Sequence, residues 1–195
     1  MKETFVKNFY DIFQLHKVCG NDPQRPNLGY VHFIDGYAYA TNAQIAIKAK
    51  LSAISNFEPI EIAVMNNHTI SAKAFASILC YDEVKVTEMG FNVISDCEPV
   101  FFGFNQQQEI KFLDIDTVFD TREVNGDAIS SLMFNANYVA KLSAAMGTKK
   151  LAFDVALSGK KIYVYPADRV EDITGVLMPL HDSTEKKCAE EEVKI

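Results

Sequence analysis

The sequence predicts an α+β fold in which helices cover one side of antiparallel sheets. Three observations favour it. Amphipathic helical patterns begin near Phe5, Ser71 and Asn135; short apolar runs of strand length, separated by turn residues, follow each helix; and the resulting β-α-β-β-β unit occurs three times. One unit alone cannot bury both its sheet and its helix stripe. We therefore expect the units to join side by side.

Composition limits the class of protein. The chain has 195 residues, of which 48% are hydrophobic and 23% charged, as in ordinary globular proteins. It has no apolar run long enough to span a membrane, and its acid-bearing start, Met1 to Thr4, is unlike a signal peptide. We therefore expect a cytoplasmic protein without membrane contact. Four scattered cysteines predict neither a disulfide framework nor a zinc site, and no cofactor or metal is expected.

The first unit is expected at about residues 1–52. Apolar side chains at helical spacing predict its helix, namely Phe5, Phe9, Ile12, Phe13 and His16. The breakers Gly20 to Pro23 should end that helix. Three strands are predicted next, at Gly29–Ile34, Tyr37–Ala40 and Ala43–Ala49. Asp35-Gly36 is a strong signal for a two-residue hairpin turn between the first two.

The second unit is expected at about residues 58–112. It begins with a predicted strand at Glu61–Val64, and Ser71 is a plausible N-cap of the following helix. The buried stripe of that helix comprises Ala72, Phe75, Ile78 and Leu79. Four strands are predicted after it, at Val84–Thr87, Phe91–Ser95, Val100–Phe104 and Glu109–Phe112. Together the two units would form one domain over residues 1–118.

The third unit is expected at residues 119–181. Its pattern predicts a strand at Leu132–Phe134, an N-cap at Asn135 and a helix closed by Gly147. Strands are predicted at Leu151–Ala156, Lys161–Tyr165 and Gly175–Met178, with a turn at Ser158-Gly159. Residues 113–130 read as a connector. Residues 182–195 are charged, lack periodicity and are expected to be a disordered tail.

Two stretches resemble the bacterial DNA polymerase III sliding clamp (beta subunit) family. Asp22-Pro23-Gln24-Arg25-Pro26-Asn27-Leu28, a hairpin, and then Ala40-Thr41-Asn42-Ala43 are similar to the middle-domain pattern acid, Arg-Pro-x-Leu, strand pair, Ala-Thr-Asp-Gly. Met133-Phe134-Asn135-Ala136-Asn137-Tyr138-Val139 and Val176-Leu177-Met178-Pro179-Leu180 resemble the last half-domain. Leu113 to Asp116 stands where the family has a Phe-Pro connector. A clamp protomer has six units, so the chain looks like a truncated clamp, the middle domain plus the last half-domain.

The resemblance implies a ring of units around duplex DNA, with helices lining the hole. Sliding needs loose phosphate contacts that do not depend on sequence. The candidate DNA-binding residues are Lys7, Lys17, Lys73, Lys141, Lys149 and Lys150. On charge alone they are typical of the solvated side of amphipathic helices, and the formal net charge of -7 argues against coating nucleic acid with the whole surface. Three units per chain would need four chains, joined head to tail, for a twelve-unit homo-oligomeric ring.

The resemblance also implies an apolar pocket for short peptides of polymerases and clamp loaders. Its wall would comprise Arg25, Leu28, Thr41, Val176, Met178, Pro179 and Leu180. Read without the resemblance, the last of these segments is equally typical of a core strand. The sequence also departs from the family, because Gly-His-Arg-Leu becomes Ala43-Gln44-Ile45-Ala46, which affects the edge of the pocket.

Two other functions remain open. One is a clamp-fold interaction module without DNA binding. The other is a phosphatase, because Asp114-Ile115-Asp116-Thr117 after an apolar run resembles the first motif of haloacid-dehalogenase-type enzymes. There one aspartate is the nucleophile, the other the acid/base, and both help hold magnesium. That motif normally opens a parallel sheet, and no strand-helix alternation follows it here. We therefore expect a non-catalytic, sliding-clamp-like processivity or clamp-related protein in DNA replication or repair.

Overall fold

The computed structural model describes residues 7–93, 99–105, 115–119, 132–156, 161–168 and 172–180. The strands are β1 Tyr30–Ile34, β2 Tyr37–Thr41, β3 Ile45–Lys50, β4 His68–Ser71, β5 Val84–Thr87, β6 Gly90–Val93, β7 Val100–Gly103, β8 Leu151–Val155, β9 Ile162–Pro166 and β10 Ile173–Leu177. The α-helices are α1 Leu51–Ile54, α2 Pro59–Met65, α3 Ala72–Ile78, α4 Ile115–Phe119 and α5 Ala136–Ala145. Two 3-10 turns lie at Leu15–Lys17 and Pro26–Gly29. None of the described helices is both long and apolar enough to cross a bilayer.

A seven-stranded sheet joins the first and third units. Its order is β4-β1-β2-β3-β10-β9-β8, and a three-stranded sheet, β5-β6-β7, stands apart from it. At the seam between the units, β3 pairs with β10 so that Ala46 lies opposite Val176. Every strand pair among the described residues is antiparallel. The predicted α+β fold with antiparallel sheets is thus confirmed.

One face of the large sheet carries the main core together with α3 and α5. Residues opposite one another across a ladder share a face, so Ile47, Gly175 and Val164 lie together. The 3-10 turn Leu15–Lys17 packs between α3 and α5 on this helical face. A Cβ at Gly175 would lie 2.6 Å from Met146 Cε, so the glycine lets the C-terminal end of α5 approach β10 closely. The opposite, outer face carries Thr41, Ala46 and Val176.

Phenylalanine rings join the small sheet to this core. The Phe9 ring lies 4.9 Å from that of Phe75 and 5.8 Å from that of Phe91, centroid to centroid. Phe91 in turn lies 5.1 Å from Phe104 in an edge-on arrangement. Such aromatic pairs contribute roughly 0.5–1.5 kcal/mol beyond the area that they bury. The small sheet of the second unit therefore packs against this core through side chains, while β4 of the same unit joins the large sheet through its ladder with β1.

The predicted first helix is wrong over the described residues. Residues 7–14 form no helix, and only the 3-10 turn Leu15–Lys17 is helical. The buried Asn8 donates to the Ile78 and Tyr81 carbonyls and accepts the N–H of Phe9 through its own side chain. Those bonds compete with helix formation. Phe9 and Phe13 are buried as predicted, but Ile12 is 51% exposed.

The strand predicted at Glu61–Val64 is wrong as well. Those residues belong to α2, whose start is fixed by a capping box in which Glu58 and Glu61 each bind the other's backbone N–H, with Pro59 in the first turn. The strand that precedes α3 is instead β4, His68–Ser71, which pairs with β1. The sequence signal that was missed is the capping box, formed by Glu58, Pro59 and Glu61.

Several local predictions are confirmed. Ser71 Oγ accepts the Ala74 N–H at 3.2 Å, and Asn135 Oδ1 accepts the Asn137 N–H at 2.9 Å, so both act as N-caps. Gly147 ends α5 with φ +64°. In the Asp35-Gly36 turn both residues have positive φ, +49° and +78°.

Other predictions fail or lie outside the described residues. Residues 132–134 are not a strand, although Met133 O accepts the N–H of Leu180 at 2.9 Å. The predicted helix start at Phe5, the strand Glu109–Phe112, the turn Ser158-Gly159 and the tail 182–195 lie outside the described residues. The division into domains stays a prediction.

Candidate functional site

A cavity of about 230 Å³ lies on the outer face of the large sheet, at the seam between the first and third units. Three segments supply its walls: the β2–β3 turn with the start of β3, α4, and the strands β9 and β10 with their flanking residues. The lining residues are Thr41, Ala43, Gln44, Ile45, Ala46, Thr117, Val118, Lys161, Val176 and Met178. Most of these surfaces are aliphatic, so the cavity suits an apolar side chain.

The β2–β3 turn is held by its own side chains. Thr41 Oγ1 donates to the Ile45 carbonyl at 2.8 Å and accepts the Ala43 N–H at 3.1 Å. Asn42 Oδ1 accepts the N–H groups of Gln44 and Ile45 at 3.0 and 2.9 Å. Ala43 has φ +76°, in the left-handed region that favours glycine. This rim of the cavity is therefore preformed, with backbone strain at Ala43.

Helix α4 forms the second wall. Its residues Val118 and Phe119 pack against an outer-face cluster that includes Tyr163, Tyr165 and Val176. Lys161 Nζ donates to the Thr117 carbonyl, and lies 3.4 Å from that of Val118. A cation at the carbonyl end of a helix is electrostatically favourable. Lys161 therefore ties α4 to the start of β9, and all three belong to the walls of the cavity.

The third unit also holds the rim in place. Tyr138 Oη, from α5, donates to Gln44 Oε1 at 3.0 Å. The Met178 N–H donates to the Gln44 carbonyl at 2.9 Å. The hydrogen bond from Tyr138 fixes the side-chain oxygen of Gln44, so the NH₂ group of the same amide points away from Tyr138. The amide can then donate to a ligand at the rim.

Three of the seven predicted pocket residues line this cavity, Thr41, Val176 and Met178. Leu28 is only 5% exposed and belongs to the interior. Arg25 Nε is bound to Asp22 Oδ2 at 2.8 Å. Pro179 and Leu180 follow Met178, but neither is among the described residues that line the cavity. The predicted residues that meet there thus lie at the end of β2, on β10 and directly after β10.

Sequence reasoning missed the other lining residues. Ala43 to Ala46 entered the sequence analysis only as a departure from the family pattern. Their closeness in sequence to the predicted pocket residue Thr41 could have identified them as part of the pocket. Thr117 fell in a motif interpreted as phosphatase-like. That motif lies partly on α4, and the described strands around it are antiparallel, unlike the parallel sheet of those phosphatases. Nothing in the sequence singles out Lys161, because its partners are backbone carbonyls.

The predicted DNA-binding lysines divide into two groups. Lys73 lies on α3, Lys17 on the 3-10 turn and Lys141 on α5, three elements that are adjacent on the helical face. Lys73 and Lys17 are exposed, and Lys141 is half-buried. The exposed Lys149 and Lys150 follow α5.

Lys7 differs from the other five lysines. Its Nζ lies 3.1 Å from Glu61 Oε2 and 4.0 Å from Glu58 Oε1. Its charge is thus partly neutralised by the cap of α2. It also lies outside any helix, because residues 7–14 are not helical. Lys7 is therefore the weakest candidate for a phosphate contact.

Burial shifts the pKa values of three titratable side chains among the described residues. Burial raises the pKa of the Cys19 thiol to about 12, which keeps it protonated and unreactive. Burial lowers the pKa of His32 to about 4. It also lowers the pKa of His16, with a smaller contribution from Lys17. Within the described ranges, no group of three or more His, Cys, Asp or Glu residues is placed to hold a metal ion.

Comparison with known proteins shows a shared fold. No protein-family model matches the sequence, and no curated protein matches it either. The crystal structure of the DNA polymerase III beta subunit from Thermotoga maritima matches with TM-score 0.58 and 11% identity, over 93% of this chain and 66% of that one. The DNA polymerase sliding clamp from Pseudomonas aeruginosa gives TM-score 0.62 and 13% identity, over 88% of this chain and 64% of that one.

A third match carries the same architecture. The Borrelia burgdorferi beta subunit, solved in complex with a natural product, gives TM-score 0.62 and 13% identity over 90% of this chain and 64% of that one. The chain therefore has the fold of the bacterial sliding clamps, as the sequence predicted. It spans about two thirds of the length of the clamps it matches.

Proposed function

We propose that this chain, which has the sliding-clamp fold, is a non-catalytic clamp-type protein of DNA replication or repair that docks short apolar peptide segments in the cavity at the β3–β10 seam. The preformed cavity is the observation that carries this proposal. Its rim is held by the Thr41 hydroxyl, which donates to the Ile45 carbonyl, and by the Asn42 side-chain oxygen, which accepts two backbone N–H groups. Its far wall is held by Lys161, which donates to an α4 carbonyl. A pocket that needs no rearrangement avoids the ordering cost of binding.

The chemistry of the cavity defines the ligand class. Val118, Val176 and Met178 offer apolar contacts, and a flexible methionine adapts to side chains of varied shape. The amide of Gln44 supplies a hydrogen-bond donor for a peptide carbonyl. The ammonium of Lys161 is committed to α4 carbonyls. The proposed ligand is therefore a peptide with large uncharged side chains, of the kind that polymerases or clamp loaders would present.

We further propose that duplex DNA contacts the helical face through lysines. Lys17, Lys73 and Lys141 are contributed by adjacent elements, and Lys149 and Lys150 extend the set. Such contacts act through phosphate charge, so affinity should fall steeply with salt and should not depend on base sequence. The net charge of -7 and the pairing of Lys7 favour a second candidate, a peptide-docking module that does not bind DNA. The four-chain ring stays a prediction.

The peptide site is tested with Met178→Glu and a matched control. Met178 lines the cavity and is 44% exposed, whereas Leu180 does not line it and is 53% exposed. Both substitutions add one carboxylate at an exposed position, so neither should prevent folding. Fluorescence anisotropy would follow labelled short peptides with leucine, phenylalanine or lysine at the centre. We expect the apolar peptides to bind, and Met178→Glu to weaken them at least tenfold, which is about 1.4 kcal/mol.

The Leu180→Glu control should change that affinity by less than twofold. Equal weakening by the two variants, or preference for the lysine peptide, would contradict the proposed pocket. DNA contact is tested separately by retention on duplex DNA across a salt series. The double change Lys17→Glu with Lys73→Glu should abolish the salt-sensitive retention. Lys50→Glu with Lys85→Glu, which alters net charge equally, should not. No retention of the unaltered protein on DNA would favour the peptide-docking module.

A further inference from the structure

The chain continues beyond the cavity at the β3–β10 seam, and its next residues begin at the cavity wall. Met178 lines the cavity, and the described residues run on only to Leu180. The Leu180 N–H donates to Met133 O at 2.9 Å, which holds this end in place. Two residues of extended chain span at most about 7 Å, so residues 181–195 start close to a lining residue. Any ligand of the cavity therefore meets a segment that is tethered beside it.

The sheet around the cavity is basic on its outer face. The four described strands β2, β3, β9 and β10 contain no acidic residue. Lys48 lies two residues beyond the lining residue Ala46 on the same face of β3, which is a separation of roughly 7 Å. Its Nζ lies 4.4 Å from the centroid of the Tyr37 ring, and Lys161 adds a second cation at the cavity wall. A ligand that combines an apolar side chain with a carboxylate about 7 Å away therefore matches this surface.

Residues 190–195, here called the acidic segment, carry that combination. Their sequence is Glu-Glu-Glu-Val-Lys-Ile. In an extended backbone alternate residues share a side, so Glu191, Val193 and Ile195 would face the same surface. The rise per residue separates Glu191 from Val193 by about 7 Å, the same spacing that separates Lys48 from Ala46. Apolar and charged groups thus recur at matching intervals on the acidic segment and on the sheet.

The intervening residues are long enough to bring the acidic segment back to the cavity. A linker of about 13 residues, the length from Leu180 to Val193, spans roughly 20 Å root-mean-square. A tether of this kind holds its far end at an effective concentration in the millimolar range. A segment with an intrinsic Kd of about 0.1 mM would then occupy the cavity about ten times as often as it leaves it free. Weak intrinsic affinity is therefore sufficient.

We propose that the acidic segment occupies the cavity of its own chain, with Val193 among the aliphatic lining residues and Glu191 beside Lys48, and that partner peptides must displace it. This inference rests on the proposed function, because it assigns a regulator to the same cavity. Peptides with larger apolar side chains than valine displace the acidic segment, whereas weaker ligands are excluded. The segment therefore sets a threshold of affinity for partners.

The first test measures the affinity of the full chain for a labelled leucine-centred peptide by fluorescence anisotropy. Val193→Glu with Ile195→Glu removes the apolar side chains of the acidic segment, and should tighten peptide binding about tenfold. The matched control, Ser183→Glu with Thr184→Glu, adds the same two carboxylates to the same part of the chain. It should change the affinity by less than twofold. All four positions lie outside the described fold, so neither variant alters the walls of the cavity.

The second test needs no added peptide. The methyl resonance of Met178 in the ¹³C-labelled full chain reports directly on the occupant of the cavity. It should shift in Val193→Glu with Ile195→Glu and stay unchanged in the control. Lys48→Glu and Glu191→Lys should each shift it part of the way, and the two changes together should restore the original position, because the opposite charges are then exchanged. The shifts should not depend on protein concentration, since the segment acts within its own chain.

The two measurements separate this proposal from the proposed function. If the leucine peptide binds both double variants equally well and the Met178 resonance is the same in both, self-occupancy is wrong and the peptide cavity stands. If no added peptide binds, but the Met178 resonance responds to Val193→Glu with Ile195→Glu alone, the acidic segment docks and the proposed function fails. A resonance that moves with protein concentration would show that the segment of a second copy enters the cavity, and would overturn the proposal. Failure of the charge exchange to restore the resonance would overturn it too.

Discussion

Replacing Gly90 by alanine should cost the fold far more than the same change at Gly36, although both glycines have positive φ. Gly90 has φ +147° and begins β6, where an added Cβ would lie 2.1 Å from the Phe102 carbonyl oxygen on β7. Gly36 has φ +78°, and a Cβ there would meet nothing within 4 Å. The pair therefore separates the cost of backbone conformation from the cost of collision.

The magnitudes follow from those two terms. A side chain in a positive-φ conformation costs roughly 1–3 kcal/mol, and the lost flexibility of the unfolded glycine returns about 0.4–1 kcal/mol. Gly36→Ala should therefore destabilise by about 1 kcal/mol. At Gly90 the obstacle is backbone, so β6 and β7 must separate locally. Loss of one or two ladder hydrogen bonds adds about 1–2 kcal/mol, for a total of about 3 kcal/mol.

Urea unfolding followed by circular dichroism would measure both variants. Because Gly90→Ala disturbs the β6–β7 ladder, we expect a lower urea midpoint for this variant and faster hydrogen exchange at residues 90–93 and 100–103. Gly36→Ala should leave those amides unchanged. If the two variants lost the same stability, the close approach of Phe102 to Gly90 would not control the small sheet, and the reasoning would be refuted.

Three further predictions concern the site and its support. Ala43→Gly should relieve the φ of +76° and raise stability by about 0.5 kcal/mol, whereas Ala40→Gly within β2 should lower it in the same thermal scans. Lys161→Met should remove the donor to the α4 carbonyls, lower stability by about 1 kcal/mol and speed hydrogen exchange of 115–119; unchanged exchange would show that the tie is unimportant. The pKa of His32 is about 4 in the folded state and about 6.5 in the unfolded state, so protonation favours unfolding. The stabilisation that comes from keeping His32 neutral is therefore fully present above pH 6.5 and is lost as the pH falls towards 4. The loss from pH 7 to pH 5 should be about 2 kcal/mol, and His32→Gln should flatten this slope in urea titrations.

The parts that the sequence predicted well are governed by local chemistry. Asp35-Gly36 specifies a tight hairpin whatever surrounds it. Ser71 and Asn135 cap helices because their side-chain oxygens accept backbone N–H groups two or three residues further on. Strands with alternating burial, such as Val84–Thr87, were found at their observed bounds. In these places, information within a few residues was sufficient.

The failures have tertiary causes. The helical spacing from Phe5 to His16 is real, but Asn8 reaches carbonyls some 70 residues away in sequence, and those bonds outweigh local propensity. Only three of the ten residues that line the cavity were predicted, for a related reason. Val176 and Thr41 were placed by family resemblance, whereas Lys161 and Val118 enter only because α4 folds onto β9. No pattern along the chain encodes that arrangement.

The pairing of β3 with β10 has a consequence for biosynthesis. One edge of Ile45 to Ala49 pairs with the neighbouring β2, but the other edge finds its partners only in residues 173–177, so this second ladder closes over a long stretch of the chain. While the ribosome is still adding the third unit, β3 has an unpaired apolar edge on the nascent protein. Contacts so distant in sequence slow folding and prolong exposure to aggregation. Expression at low temperature or with chaperones should therefore increase the yield of native protein, and a chain ending before residue 173 should accumulate in inclusion bodies.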